Sequence, residues 1–364
     1  MDAPRPAPVL HTGFAGWVHQ NLFAGPVDTL LTLSGMGLLW LLVPPIADYL
    51  FIDAFWTGSN ATACSGRTAF CWPFLNVRLT QFIYGTYPLE ERWRVNLAAV
   101  QGVLFALPLV YAGPKFRKPL MLALFIYWPI STALLLTGGL IGLTPVPTNL
   151  WGGFMVTLVV ALFGIGVSLP LGIALALARL SDLPAIRWLS VGLIEIIRGV
   201  PLITILFMAS LMLPIFLPNG MSVDGLLRVL VGFSLFAAAY MAEIIRGGLS
   251  ALPPGQAEAA KALGLGYWHT MGLILLPQAL RMVLPNIVNT FIALFKDTTL
   301  VMIVGIMDLL GVVQAANSDP NWAGPNTQPT GYVFLGMVFW LSCYLMSRLS
   351  ARMERQFNQN QRTR

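Results

Sequence analysis

Apolar stretches long enough to cross a bilayer recur along nearly the whole chain, and no other feature restricts the fold as strongly. A spanning helix needs about 20 predominantly apolar residues. Such stretches lie near 29–52, 95–112, 120–143, 151–178, 188–213, 226–246, 272–295 and 331–350. Backbone polar groups in hydrocarbon must bond within their own segment, so each stretch is expected as a helix. The expected fold class is an all-α integral membrane protein with about eight transmembrane helices. A shorter apolar stretch, 299–313, follows the Lys296–Asp297 pair and is expected to be a partly inserted or capping helix.

Composition narrows the function classes. Only 10% of the 364 residues are charged, against about 25% in soluble domains. The net charge of +6 would suggest nucleic acid in a soluble protein. In a membrane chain it reflects Lys and Arg on inside loops, so lipid is the expected surrounding and no nucleic-acid partner is expected. The three Cys and three His show no metal-ligand spacing. No metal site, resident cofactor or catalytic residue is expected, and HExxH, GxSxG and GxxxxGK[ST] are all missing from the sequence. Residues 1–27 are polar and Pro-rich without a cleavage pattern and read as a retained tail.

Basic residues set the orientation. With the N-terminus inside, the inside segments hold Arg5, Lys115, Arg117, Lys118, Arg179, Arg187, Arg246, Lys261, Arg281, Arg348, Arg352, Arg355, Arg362 and Arg364. The outside segments hold Arg67, Arg78, Arg92 and Arg94. This bias puts both termini in the cytoplasm. Residues 1–148 then form a three-span N-terminal unit with a large outside loop, 53–94, and residues 149–364 form a five-span unit. The turn-rich junction Gly142 to Pro147 suits a boundary. Cys64 and Cys71 share the outside loop, where a disulfide is permitted; two unpaired thiols are the alternative.

Residues 253–277 read PPGQAEAAKALGLGYWHTMGLILLP. Pro253 and Pro254 suit a helix start, Gln256 to Leu263 are mostly good helix formers, and Gly264 fits a C-terminal cap with positive φ. Tyr267 to Leu276 resume as a second helix, giving an inside helical hairpin. Glu258-Ala259-Ala260, three residues, Gly264, nine residues, Ile274 and Leu276-Pro277 resemble the EAA signature of ABC importer permeases at every fixed position. Ile196-Ile197-Arg198-Gly199-Val200-Pro201-Leu202 is similar to the RGxPxL segment of polar amino-acid permeases, with Val200 where many relatives carry Thr. Ala239 to Gly248 and Phe295-Lys296-Asp297-Thr298-Thr299-Leu300-Val301 resemble two further segments of that subfamily. The long N-terminal unit resembles that of the larger permeases of general L-amino-acid or glutamate/glutamine/aspartate importers.

The resemblance implies a type I ABC importer five-helix core plus a three-helix extension in the bacterial inner membrane. It implies a second, related but non-identical permease subunit, two ATP-binding cassette ATPase subunits that bind ATP and Mg, and a periplasmic amino-acid-binding protein. Glu258, Ala259, Ala260 and Gly264 are the implied ATPase-coupling residues. The alternative for the segment is an ordinary helical hairpin.

Ionisable groups inside spans are costly and usually functional. Glu195 and Arg198, and again Glu243 and Arg246, are spaced i,i+3 on one helical face. Each pair reads as an intrahelical ion pair, with a gate as the other reading for Glu195 and Arg198. Lys296, Asp297 and Thr298 are candidate pathway residues, because a zwitterion needs both an anion and a cation partner along its route. The competing function class is an ion-coupled secondary amino-acid transporter, for which the repeated Glu-Ile-Ile-Arg string is the one sequence hint.

Overall fold

The computed structural model describes residues 13–111, 114–140, 142–218 and 222–362. Arg5 and Arg364 lie outside the described residues, as do the side chains of Lys115, Arg117, Arg355 and Arg362. Among the described residues the regular structure is helical, and β pairing is limited to isolated bridges. In chain order the helices are α1 (Gly13–Leu22), α2 (Pro26–Ala47), α3 (Trp72–Tyr84), α4 (Arg92–Tyr111), α5 (Pro114–Leu122) and α6 (Trp128–Thr137). There follow α7 (Gly153–Arg179), α8 (Pro184–Gly199), α9 (Leu202–Phe207), α10 (Leu213–Phe216) and α11 (Gly225–Ser250). The last are α12 (Gly255–Ala262), α13 (Tyr267–His269), α14 (Leu276–Asp297), α15 (Leu309–Asn317) and α16 (Thr327–Arg362).

Six helices among the described residues are long and apolar enough to cross a membrane, or seven if one bent pair counts as a span. About eight were expected, and the difference has local causes. The stretch 188–213 is not a single straight helix. Val200 is extended, as the residue before a proline tends to be, and Pro201 has no N–H to continue the helical ladder. The segments on either side meet at a bend of 109°. The stretch 95–112 is carried by α4, which runs up to residues 112–113, outside the described set. The stretch 299–313 is split into a 3-10 segment (Thr298–Val304), a left-handed Gly305 and α15.

The chain divides into two compact units. The first joins Met1–Val77 with Pro320–Thr330. Its centre is the side chain of Asn326, whose amide nitrogen donates to the carbonyls of Cys64 (2.6 Å) and Arg67 (2.7 Å). The Asn326 amide oxygen accepts from the Ala69 N–H, and the Thr330 hydroxyl oxygen accepts from the Cys71 N–H at 3.0 Å. Cys64 and Cys71 are joined in a disulfide, their Cα atoms 5.7 Å apart. Trp56 stacks on Trp72, and Phe70 meets Trp72 edge-on.

The second unit, Arg78–Asp319 with Gly331–Arg364, is built on α7 packed along α11. Glycines make that contact close. A Cβ on Gly172 would lie 2.5 Å from the Met241 Cβ, and one on Gly164 would enter the Phe233 ring. Small residues at such contacts are the usual route to tight packing in membranes. One apolar cluster gathers Val156, Val160, Leu206, Val229 and Phe233; another gathers Ala176, Ile194, Met241, Ile245, Val283 and Ile287. Arg94 is buried in this unit. It pairs with Glu91 at 2.6 Å and donates to the Thr144 carbonyl and hydroxyl, fastening Thr144 to α4.

Candidate functional site

The hairpin begins where α11 ends. Ala257 and Glu258 donate their N–H groups to the Pro254 carbonyl, so α12 starts directly after the Pro253–Pro254 pair. It ends in a Schellman motif. The Leu265 N–H bonds the Ala260 carbonyl (3.1 Å) and the Gly264 N–H bonds the Lys261 carbonyl (2.9 Å). Gly264 has φ +75°, a conformation costly for residues with a Cβ. The chain then turns through α13 and a π-helical segment, Thr270–Leu275, into α14. The Gln278 amide donates to Gln256 at 3.3 Å and joins the two arms.

Glu258, Ala259 and Gly264 are exposed, and Glu258 makes no ion pair among the described residues. Ala260 is buried inside the hairpin, so of the two alanines only Ala259 faces outward. Beside them Leu263 is 79% and Trp268 73% exposed. Sequence reading missed these two side chains, because bulky apolar residues beside a membrane segment look like part of the span.

The charges of α8 and α11 meet those of α7. Glu243 Oε1 accepts from Arg246 Nε and Nη2 at 3.0 and 2.5 Å, the expected i,i+3 pair. Its other oxygen lies 3.2 Å from Arg179 Nη1 and 3.7 Å from Arg198 Nη1. Arg179 also reaches Glu195 at 2.9 Å, and the Arg198 guanidinium sits over the Tyr240 ring. The expected Glu195–Arg198 pair therefore does not form: Glu195 turns to Arg179, and Arg198 turns to Glu243. Glu243 is a hub for three guanidinium groups from three helices. Arg179 carries the link and was legible only as a loop charge, because its partners lie 16 and 64 positions further along.

Lys296 is exposed and Asp297 half-buried, at the end of α14. Thr298 is buried, with its hydroxyl donating to the Phe295 carbonyl at 2.8 Å, which leaves it turned into the fold. Asp308 is fully buried. One carboxylate oxygen caps α15 through the Gly311 N–H, and the other has no hydrogen-bond partner among the described residues. Burial raises the Asp308 pKa to about 6, partly offset by the capping N–H groups. No group of three or more His, Cys, Asp or Glu side chains suited to a metal occurs among the described residues.

Comparison with known proteins agrees with this architecture. Residues 168–359 match the family described as "Binding-protein-dependent transport system inner membrane component". The chain is 47% identical to the inner membrane amino-acid ABC transporter permease protein YhdY of Escherichia coli, over 98% of this chain and 96% of that protein. It is 40% identical to the glutamate/glutamine/aspartate/asparagine transport system permease protein BztC of Rhodobacter capsulatus, over 100% of this chain and 98% of that protein. Among solved structures, "Crystal structure of an amino acid ABC transporter with histidines" aligns with a TM-score of 0.50 and 28% identity, over 56% of this chain and 92% of that one. These relatives give no support to the ion-coupled alternative. A multi-pass inner-membrane chain with these motifs and these relatives belongs to the binding-protein-dependent transport system inner membrane component family, the ABC transporter permeases.

Proposed function

We propose that the chain is one membrane half of an ATP-driven amino-acid importer and that residues 253–277 carry the energy-supplying contact. The observation that carries this reading is the hairpin itself. A capped helix presents Glu258, Ala259 and Leu263 to the outside of the fold, and a left-handed Gly264 holds its elbow. Glu258 offers a partner a charge-assisted hydrogen bond, and Leu263 and Trp268 offer it apolar area. Such a surface suits a cleft on an ATPase subunit. Two ATPase subunits, a second and non-identical permease half, and a soluble amino-acid-binding protein outside the membrane complete the assembly. Amino acids, acidic ones and their amides among them, are the substrates named for the full-length relatives.

In this reading both termini and the hairpin are cytoplasmic, and the Cys64–Cys71 loop faces the periplasm. Residues 1–148 act as an extension beside the transporting core, 149–364. The ATP chemistry belongs to the partner, and this chain receives a displacement. Paired hairpins are moved together or apart, and α11, continuous with the hairpin, carries that motion to the hub at Glu243. The hub ties α11 to the end of α7 and to the last turn of α8, just before the 109° bend. Glu195 and Arg198 thereby belong to the gate, and Lys296 and Asp297 to the route of the solute. Only interactions that differ between the two states do the work.

The test is Glu258→Lys in the complete transporter. The variant should insert and assemble at normal levels while substrate-stimulated ATP hydrolysis falls about tenfold, the equivalent of one lost charge-assisted contact. Unchanged stimulated hydrolysis would remove the hairpin from the coupling role.

A further inference from the structure

The Cys64–Cys71 bridge lies beneath a cover that the chain supplies from a much later segment. The two half-cystines are 1% and 0% exposed, and Ala69 and Phe70 on the same loop are buried with them. The cover is residues 321–330. The Asn321 carbonyl accepts from the Ala61 N–H at 3.0 Å. The Trp322 ring lies against Phe74, with centroids 5.5 Å apart, and a Cβ on Gly324 would stand 3.4 Å from the Ala61 Cβ. Asn326 and Thr330 add their bonds to Cys64, Arg67, Ala69 and Cys71. Asn326, Thr327 and Thr330 are themselves buried. Loop and cover belong to the same compact unit. Thiol–disulfide exchange passes through a mixed disulfide, so the incoming sulfur must touch the one it joins. A protein oxidant cannot bring its own disulfide to sulfurs covered to this degree.

We propose that Cys64 and Cys71 are a modification site for a thiol oxidase of the CxxC class outside the membrane, open only until residues 321–330 settle over it and sealed afterwards. The proposal rests on the reading above that this loop faces the periplasm, where such bonds form and persist. One loop thiolate attacks the oxidase disulfide, forms the mixed bond and releases one oxidase thiolate. The second loop thiolate then displaces the remaining oxidase sulfur. Two thiols become one S–S bond, and the oxidase gains two electrons and keeps the two protons on its thiols. The cover then shields the product from reductants as fully as it would have shielded the thiols from the oxidase. Asn326 is the positioning residue of this seal, since its one amide bonds the loop at Cys64, Arg67 and Ala69.

The experiment follows the full chain in cells on a Cys343→Ser background, by pulse labelling, chase and maleimide trapping of free thiols. Dithiothreitol added during the pulse should leave both thiols free. Added after the chase, it should reduce the bridge about a hundredfold more slowly than in the same chain unfolded in dodecyl sulfate, because covered groups react only through local opening. Asn326→Ala should speed that reduction about tenfold by removing three bonds from the cover; if this variant does not insert, Thr330→Val should do so severalfold. A CxxC thiol oxidase whose second cysteine is replaced by serine, exported to the outside, should be trapped as a mixed disulfide with pulse-labelled chain and not with chased chain. Reduction as fast after the chase as in the unfolded chain overturns the seal. A pulse without the mixed disulfide overturns the oxidase. In either case a bridge found without added reductant leaves the periplasmic reading standing. Two free thiols throughout, with no reductant added, would sink that reading and the proposal with it.

Discussion

α11 and α14 are both candidate spans of the same compact unit, and both carry an acid and a base. They treat these charges in opposite ways. α11 closes its pair into a network: Glu243 meets Arg246 on its own helix, Arg179 from α7 and Arg198 from α8. On α14 the side chains of Lys296, Asp297, Asn286 and Asn289 have no hydrogen bond or ion pair among the described residues, and Lys296, Asn286 and Asn289 are exposed. A closed network transmits force between helices and stabilises their packing. An open one leaves its polar groups exposed, with no such link between helices. Charge content alone does not separate the two roles; the partners do.

The contrast breaks most readily at Glu243. Glu243→Leu strands three guanidinium groups in a partly buried site and should cost about 3 kcal/mol of stability, at the low end for broken buried pairs. A thermal melt of the detergent-solubilised chain that matches the parent would show that the hub stabilises nothing.

Asp308 lies between the two extremes, buried with one oxygen bonded and the other without a hydrogen-bond partner among the described residues. Its folded pKa, about 6, is raised above 3.8, so the folded form binds the proton more tightly and stability falls as pH rises from about 4 to 6. Above pH 6 the ionised group weakens the fold by roughly 3 kcal/mol, at 1.36 kcal/mol per unit. Asp308→Asn keeps a cap acceptor and should melt higher than the parent at pH 7.5, with the gap closing toward pH 5. A constant gap across that range would contradict the burial argument.

Lys296→Met should do the reverse of Glu243→Leu. Removing an exposed cation that has no ion pair among the described residues should change stability by less than about 1 kcal/mol while uptake in intact cells falls about tenfold, or roughly 1.4 kcal/mol in the barrier. Unchanged uptake would place Lys296 outside the route. The smallest effect belongs to Glu195→Gln at the rim of the hub. Its side chain is 55% exposed, and exposed pairs contribute about 0–1 kcal/mol. A larger loss in the melt would mean that the rim is part of the load path.

Much of this was legible in the sequence because it is local. The turn at Gly264 follows from one glycine after a run of helix formers, and the Glu243–Arg246 pair follows from i,i+3 spacing. The bend after Gly199 was hidden by reading 188–213 as a uniform apolar run, although Pro201 stands in its middle. The hub was illegible for another reason. Arg179 looks like a loop charge until α7, α8 and α11 pack, and no spacing within one helix names a partner on another. The polar face of α14 fell between the two cases. Its periodicity is written in the sequence, but a run judged by average hydropathy conceals which side carries the amides.

The Asn326 clasp has a consequence for biogenesis. Its amide bonds the Cys64 carbonyl across a sequence separation of 262 residues, and Thr330 meets Cys71 across 259. A ribosome that has released only residues 1–325 has not yet delivered these two side chains. The segment from Cys64 to Cys71 must then wait, its carbonyls and amides facing water, until the final helix is threaded. Contacts this distant in sequence form late, so the chain's first long loop is among the last parts of the protein to be finished.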